Sequence, residues 1–173
     1  MALFFFVFLT LFCAGLLELQ FGAAGFLVPL TLPVVFYFSI ACGWRTGLFC
    51  AIAAGTALDI LYGRHFPVSS LLISIAALLS IFWILREESK NPLLNVIPGA
   101  LTGIIYMAPL CFSPIFSGQC SWKDIFTAFV CCFSGVLISV ISFPAIIIFL
   151  DGSGRGFGFP LFKDARDRLL KKL

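Results

Sequence analysis

The chain has 173 residues, of which 61% are hydrophobic and 11% are charged. An ordinary soluble domain is about 45–50% apolar and about 25% charged, so this composition excludes a soluble globule, a disordered chain, a secreted disulfide scaffold and a nucleic-acid-binding domain. Seven of the nineteen formal charges lie in the last eleven residues, where they sum to +3, and residues 1–162 carry six basic and six acidic side chains. The class that remains is an integral membrane protein.

Apolar stretches of about 20 residues are typical of transmembrane helices. Six such stretches occur along the chain: Ala2–Leu17, Phe21–Ala41, Gly47–Tyr62, Pro67–Leu85, Leu93–Phe116 and Ile125–Leu150. The sequence therefore predicts an all-α polytopic membrane bundle of about six transmembrane helices over residues 1–150. A Gly-rich linker at 151–162 and a basic juxtamembrane tail at 163–173 follow it. Pro29 and Pro33 leave open a re-entrant or kinked second segment.

The distribution of Lys and Arg predicts the orientation. With both termini in the cytoplasm, nine basic residues lie inside: Arg45, Arg86, Lys90, Arg155, Lys163, Arg166, Arg168, Lys171 and Lys172. Only Arg64 and Lys123 then lie outside. We expect a multi-pass protein of a cytoplasmic membrane with both termini inside.

Small residues recur every four positions along the third segment. The series consists of Gly43, Gly47, Ala51, Gly55, Asp59 and Gly63. Because each step of four residues advances about 400°, the series forms a ridge that winds slowly around the helix. Ridges of small residues let membrane helices approach closely. The ridge has two interpretations: close packing between helices of this chain, or an interface that receives a helix of a second protein. The predicted interface residues are Gly47, Ala51, Gly55, Asp59 and Gly63.

Asp59 is the only acidic residue well inside a predicted span. A carboxylate in the membrane is costly and needs a partner. Arg64 and Thr56 are the local candidates, and Lys123 is a candidate from the other outer loop. Asp59 is therefore either a structural anchor or a functional contact.

The residues present predict no catalytic, cofactor-binding or metal site. His65 is the sole histidine, and the seven cysteines contain no C-x-x-C pair. No Ser–His–Asp set or glycine-rich phosphate loop is evident, so we expect a protein that is not an enzyme and has no cofactor. Cys111 and Cys120 are close enough in sequence to leave a bridge between them open.

The tail combines an apolar face with a basic one. The tail should form a short interfacial helix, with one face made of Phe162, Ala165 or Arg166, Leu169 and Leu173. The basic residues are Lys163, Arg166, Arg168, Lys171 and Lys172. Basic residues next to a membrane attract anionic lipid. The tail is predicted to be a topology anchor on membrane lipid or a dock for a cytosolic partner.

From Val28 to about Ala77 the chain resembles the MreD family of rod-shape-determining membrane proteins. Pro33 is followed by an apolar run, and Arg45 with Gly47 opens the third segment. Gly55, Leu58, Asp59 and Gly63 then form a G-x-x-L-D-x-x-x-G arrangement, before the small and apolar run 68–78.

This resemblance implies a non-catalytic subunit of the cell-wall elongation machinery in a bacterial inner membrane. It implies association with the bitopic protein MreC and, through the wider complex, with the MreB filament and peptidoglycan synthases. It also implies a fold like that of the substrate-binding S components of energy-coupling-factor vitamin transporters.

Two functional hypotheses follow. The first is a scaffold in which the ridge of the third segment packs against a partner's membrane helix. The second is a solute-binding membrane module of the energy-coupling-factor type, with Asp59, Arg64 and Trp122 as contacts. The apolar spans offer few polar groups to replace a solute's hydration, and this favours the scaffold.

Overall fold

The computed structural model describes residues 2–84, 95–112, 121–159, 162, 164 and 165 of the chain. These residues form six α-helices, and no strand occurs among them. The helices are α1 (Ala2–Ala23), α2 (Thr31–Ala41), α3 (Trp44–Leu61), α4 (Val68–Ile84), α5 (Val96–Phe112) and α6 (Trp122–Gly156). The prediction of an all-helical fold is confirmed.

Three helices, α1, α3 and α6, are long and apolar enough to cross a membrane. At 1.5 Å per residue α1 is about 33 Å long, against about 30 Å for the hydrocarbon core of a bilayer. The other three helices are apolar but shorter: α2 has 11 residues, and α4 and α5 have 17 each. The chain is thus a helical bundle of membrane-protein character.

The predicted second segment, Phe21–Ala41, is not one helix. α1 continues to Ala23, and α2 begins only at Thr31. Gly25 adopts a φ of 85°, and the Phe26 and Gly25 amides donate to the Phe21 and Gly22 carbonyls. This is the Schellman arrangement that ends a helix, and Pro29, which lacks an N–H, stands between it and α2.

α2 is the core of the bundle. All eleven of its residues are buried. It packs against α1, α3, α4 and α6. A helix that is apolar on every side is usually buried, and this agrees with the position of the short helix α2 between the longer ones.

The small-residue ridge of α3 faces other helices of the same chain. A Cβ added at Gly47 would lie 2.5 Å from Ser39 Cα on α2, and one added at Gly55 would lie 2.5 Å from Ser70 N on α4. Ala51 and Asp59 are also buried. Helices of this chain fill the groove at these four positions, which agrees with the first interpretation, close packing within the chain. The interface for a second protein stays a prediction. Gly63, the fifth residue, lies in the turn after α3.

A second close approach joins α5 and α6. Cβ atoms added at Gly99 and Gly103 would lie 2.9 Å from the Phe143 and Ser139 side chains of α6. Ser139 Oγ also donates to the Gly99 carbonyl at 3.0 Å. Gly99 and Gly103 form a G-x-x-x-G pair, a spacing that suits close packing in membranes.

The Gly-rich stretch is helical over its first half. α6 continues through Gly156, so the predicted linker does not begin at residue 151. Asp151 is held inside the bundle by two hydrogen bonds, and this keeps the end of α6 in place. The five predicted anchor residues of the tail, Lys163, Arg166, Arg168, Lys171 and Lys172, lie outside the described residues.

Candidate functional site

Two buried carboxylates and the side chains around them form the candidate site. We call this group the carboxylate network. It consists of Glu18, Thr31, Asp59, Tyr62, Arg64, Ser69, Ser70 and Tyr106. Five of the six helices or their end residues contribute to it. It is the largest polar assembly inside the described part of the bundle.

Asp59 caps α4 from the neighbouring helix. Its side chain is almost fully buried, Oδ1 accepts the Ser69 N–H at 3.0 Å, and Oδ2 accepts the Ser70 N–H at 3.1 Å. Amides in the first turn of a helix have no acceptor within that helix. A negative charge at a helix N-terminus is also favoured by the helix dipole. Asp59 therefore supplies the hydrogen-bond acceptors that the first amides of α4 would otherwise lack in the interior of the bundle.

Arg64 is the cation of the network. Its Nη1 lies 3.4 Å from Asp59 Oδ1 and also donates to Ser69 Oγ. The guanidinium carbon lies 4.8 Å from the centre of the Tyr62 ring, in cation–π range. The predicted pairing of Asp59 with Arg64 is confirmed. The alternative Thr56 instead donates to the Ile52 carbonyl of its own helix, and Lys123 is exposed at the start of α6.

Glu18 is the second carboxylate of the network, and the sequence did not indicate that it would be buried. It lies in α1 and is 4% exposed, so the prediction that Asp59 is the only acidic residue inside a helical span is wrong. Oε2 accepts the Thr31 N–H at 3.0 Å and the Thr31 hydroxyl at 2.7 Å, and Oε1 accepts the Tyr106 hydroxyl at 3.0 Å. Glu18 thus caps α2 as Asp59 caps α4.

The two carboxylates belong to one network. The Tyr106 phenol, which donates to Glu18, also interacts with the Ser69 hydroxyl next to Asp59. The Tyr62 hydroxyl donates to the Glu18 backbone carbonyl at 3.4 Å, and the Tyr62 ring makes the cation–π contact with Arg64. A cavity of about 10 Å³ lies between Glu18, Tyr62, Arg64 and Tyr106. That is about the space one water molecule needs, and far below the several hundred Å³ of a small-molecule site.

A third buried carboxylate lies apart from the network. Asp151 of α6 is 5% exposed, and its Oδ1 accepts the Tyr37 hydroxyl of α2 at 2.9 Å and the Phe162 N–H at 2.9 Å. It therefore links the core helix, the last helix and the segment after it. Like Glu18 and Asp59, it accepts at least two hydrogen bonds from other parts of this chain.

The structure separates the other residues that the sequence singled out. Trp122, the proposed third contact of a solute pocket, is 85% exposed at the start of α6, whereas Asp59 and Arg64 are paired beside α4. Cys111 is a free thiol that interacts with Cys132 of α6, and Cys120 lies outside the described residues. His65 is exposed, and within the described ranges no group of three His, Cys, Asp or Glu residues could hold a metal ion.

A groove lined almost entirely by apolar side chains separates α1 from α3. Its volume is about 190 Å³. Small residues from both helices line it, namely Gly15, Ala53, Ala54 and Ala57, and Ala53 and Ala57 are exposed. The groove lies beside the buried ridge of α3, on the side that no other helix of the described chain fills.

Comparison with known proteins gives no match, since no family model, no curated protein and no solved structure is similar to this chain.

Proposed function

We propose that this chain is a non-catalytic, multi-pass scaffold subunit of the bacterial cell-wall elongation complex. In this proposal it crosses the inner membrane six times with both termini in the cytoplasm. It binds a bitopic MreC-like protein, and through it an MreB-like filament and peptidoglycan synthases. The resemblance of residues 28–77 to the MreD family supports the identity of the complex, and the excess of Lys and Arg on one side supports the orientation.

One structural observation carries the scaffold role: the three buried carboxylates are all engaged in holding the bundle together. Glu18, Asp59 and Asp151 each accept at least two hydrogen bonds from other parts of the chain. A group that binds a solute or moves a proton has to be able to exchange its partners, whereas a cap does not. These residues are therefore best suited to building a rigid membrane body.

The solute-binding alternative has less support. A polar solute in a membrane needs a cavity with several converging polar groups. The polar cavity beside Glu18 and Arg64 has about 10 Å³ of space. The cavity between α1 and α3, of about 190 Å³, is almost entirely apolar, and a second one of about 220 Å³ between α4 and α5 is lined mainly by apolar side chains. This arrangement favours contact with another apolar helix over capture of a polar molecule.

We place the partner's membrane helix in the groove between α1 and α3. The ridge predicted for that role is filled by α2 and α4. The groove next to it is lined by small residues, which let a foreign helix approach closely. Exposed Phe8 and Phe12 form part of its α1 wall.

Co-purification tests this proposal. The chain is co-expressed with an MreC-like protein from the same bacterium, solubilised in mild detergent and captured by an affinity tag. We expect the partner to be retained by the unaltered chain and lost with Ala57→Leu, because Ala57 is exposed and a larger side chain there blocks the groove without entering the core.

Ala145→Leu is the matched control. Ala145 is an exposed alanine on α6, away from the groove. The control variant should retain the partner as the unaltered chain does. Failure of the unaltered chain to retain the partner would contradict the scaffold role, and equal retention by Ala57→Leu would contradict the groove as its interface.

A further inference from the structure

The segment that follows α6 folds back onto the bundle. Phe162 is 3% exposed and Ala165 is 2% exposed. The Phe162 ring stacks on Tyr37 of α2, with centroids 6.2 Å apart and planes 18° apart. The side of the tail that was predicted to enter the membrane surface is therefore turned, at these two residues, toward the protein.

A buried carboxylate fastens this segment. Asp151 Oδ1 accepts both the Phe162 backbone N–H and the Tyr37 hydroxyl, each at 2.9 Å. Phe157 and Phe159 pack against Phe6 of α1, at centroid distances of 6.2 and 5.2 Å. The segment is thus held by one charged acceptor and a set of aromatic rings, all at one end of the bundle.

The end of α6 below this contact has little helical preference of its own. Gly152 and Gly156 are helical and exposed, and a Cβ added at either position would meet no atom within 4 Å. Glycine is a poor helix former, and no close packing at these two positions requires it. The last turns of the helix therefore depend on the contacts that Asp151 and the returning segment make.

The residues that continue this segment have a composition suited to binding an anionic membrane. Residues 163–173 carry five basic and two acidic side chains, a net charge of +3. Basic amphipathic segments bind anionic bilayers by placing their apolar side chains in the interface and their charges on the headgroups. Phe162 cannot lie against Tyr37 and in the bilayer interface at the same time, so the two positions exclude each other.

We propose that the C-terminal segment is a latch that lies on the Asp151–Tyr37 site in a neutral membrane and is released by an anionic bilayer surface. The ligand class is anionic phospholipid, and the switch consists of the Phe162 contact and the glycine-rich end of α6. This proposal does not rest on the scaffold role, since it needs no partner protein.

Hydrogen–deuterium exchange on the full chain tests the latch. The chain is placed in nanodiscs of phosphatidylcholine alone or of phosphatidylcholine with one quarter phosphatidylglycerol, and exchange is followed on fragments covering residues 157–165. We expect this segment to exchange at least tenfold faster in the anionic discs. Equal or slower exchange there would overturn the proposal.

Three variants separate docking from lipid binding. Asp151→Ala should exchange rapidly in both lipids, and so should Phe162→Ser, which removes the ring that stacks on Tyr37. A chain with all five tail cations changed to Gln should stay protected in both. Exchange on α3 fragments shows whether a variant is still folded. Protection of Phe162→Ser equal to that of the unaltered chain, or release of the neutralised chain by phosphatidylglycerol, would overturn the latch.

Discussion

Gly55 is the position at which one added methyl group should damage the bundle most. It lies where α3 crosses the start of α4. In Gly55→Ala, the new Cβ would lie 2.5 Å from Ser70 N and 2.9 Å from Ser69 C. Both are backbone atoms, so no side chain can turn aside, and the two helices must separate by about 1 Å to reach ordinary contact distance.

The same movement breaks the caps that Asp59 provides. Its hydrogen bonds to the Ser69 and Ser70 amides are 3.0 and 3.1 Å long, so a separation of about 1 Å removes them. Overpacking costs about 1–3 kcal/mol, and a hydrogen bond to a charged group contributes about 1.5–3 kcal/mol. Alanine offsets about 1 kcal/mol of this loss, because it is a better helix former than glycine. Counting only one of the two hydrogen bonds in full, we expect a net loss of about 1.5–5 kcal/mol in the free energy of unfolding.

Reversible unfolding by sodium dodecyl sulfate in mixed micelles, followed by tryptophan fluorescence, measures this loss. Gly15→Ala is the matched control, because its added Cβ would meet only Thr31 Cγ2, at 3.9 Å. The control should be unchanged or more stable by up to about 1 kcal/mol. If Gly55→Ala unfolds with the free energy of the control, the assignment of the ridge to internal packing is refuted.

Four further substitutions probe the carboxylates and the end of α6 in the same assay. Asp59→Asn keeps one acceptor oxygen but loses a charged cap and the Arg64 pair, so it should cost about 1.5–3 kcal/mol; no loss would argue against capping. Tyr106→Phe should destabilise more than Tyr62→Phe, because Tyr106 donates to a buried carboxylate at 3.0 Å and Tyr62 donates to a carbonyl at 3.4 Å; the reverse order would contradict the network. Gly152→Ala should stabilise the chain by about 0.5–1 kcal/mol, since the position is helical and open, and a loss of stability would show an unrecognised contact there.

The sequence was sufficient to predict those features that depend on local composition. Apolar run length indicated six helices, and the proximity of Arg64 to Asp59 indicated their ion pair. The break between α1 and α2 was placed too early because Glu18 and Gln20 interrupt the apolar run. In the structure the helix continues past both residues and ends at Ala23, two residues before Gly25, where the backbone takes a left-handed conformation.

The candidate site depends on contacts that no local pattern indicates. Glu18 caps α2 by accepting from Thr31 across a turn, and it also accepts from Tyr106, which is 88 residues away in sequence. Asp151 looked like the start of a polar linker, and only the return of Phe162 makes it a buried acceptor. The ridge of α3 was recognised, but a small-residue pattern does not say whether the helix that packs on it belongs to the same chain. The order in which the helices pack decides this, and here α2 and α4 lie on the ridge.

The proposed role of this chain, an assembly subunit that maintains rod shape, is tested most directly by depleting it in the organism that encodes it and measuring cell width and length by microscopy. We predict that depleted cells widen and become round, and that expression of the unaltered chain or of Ala145→Leu restores rods while Ala57→Leu does not. Cells that stay rod-shaped on depletion but lose uptake of a vitamin would contradict the scaffold role.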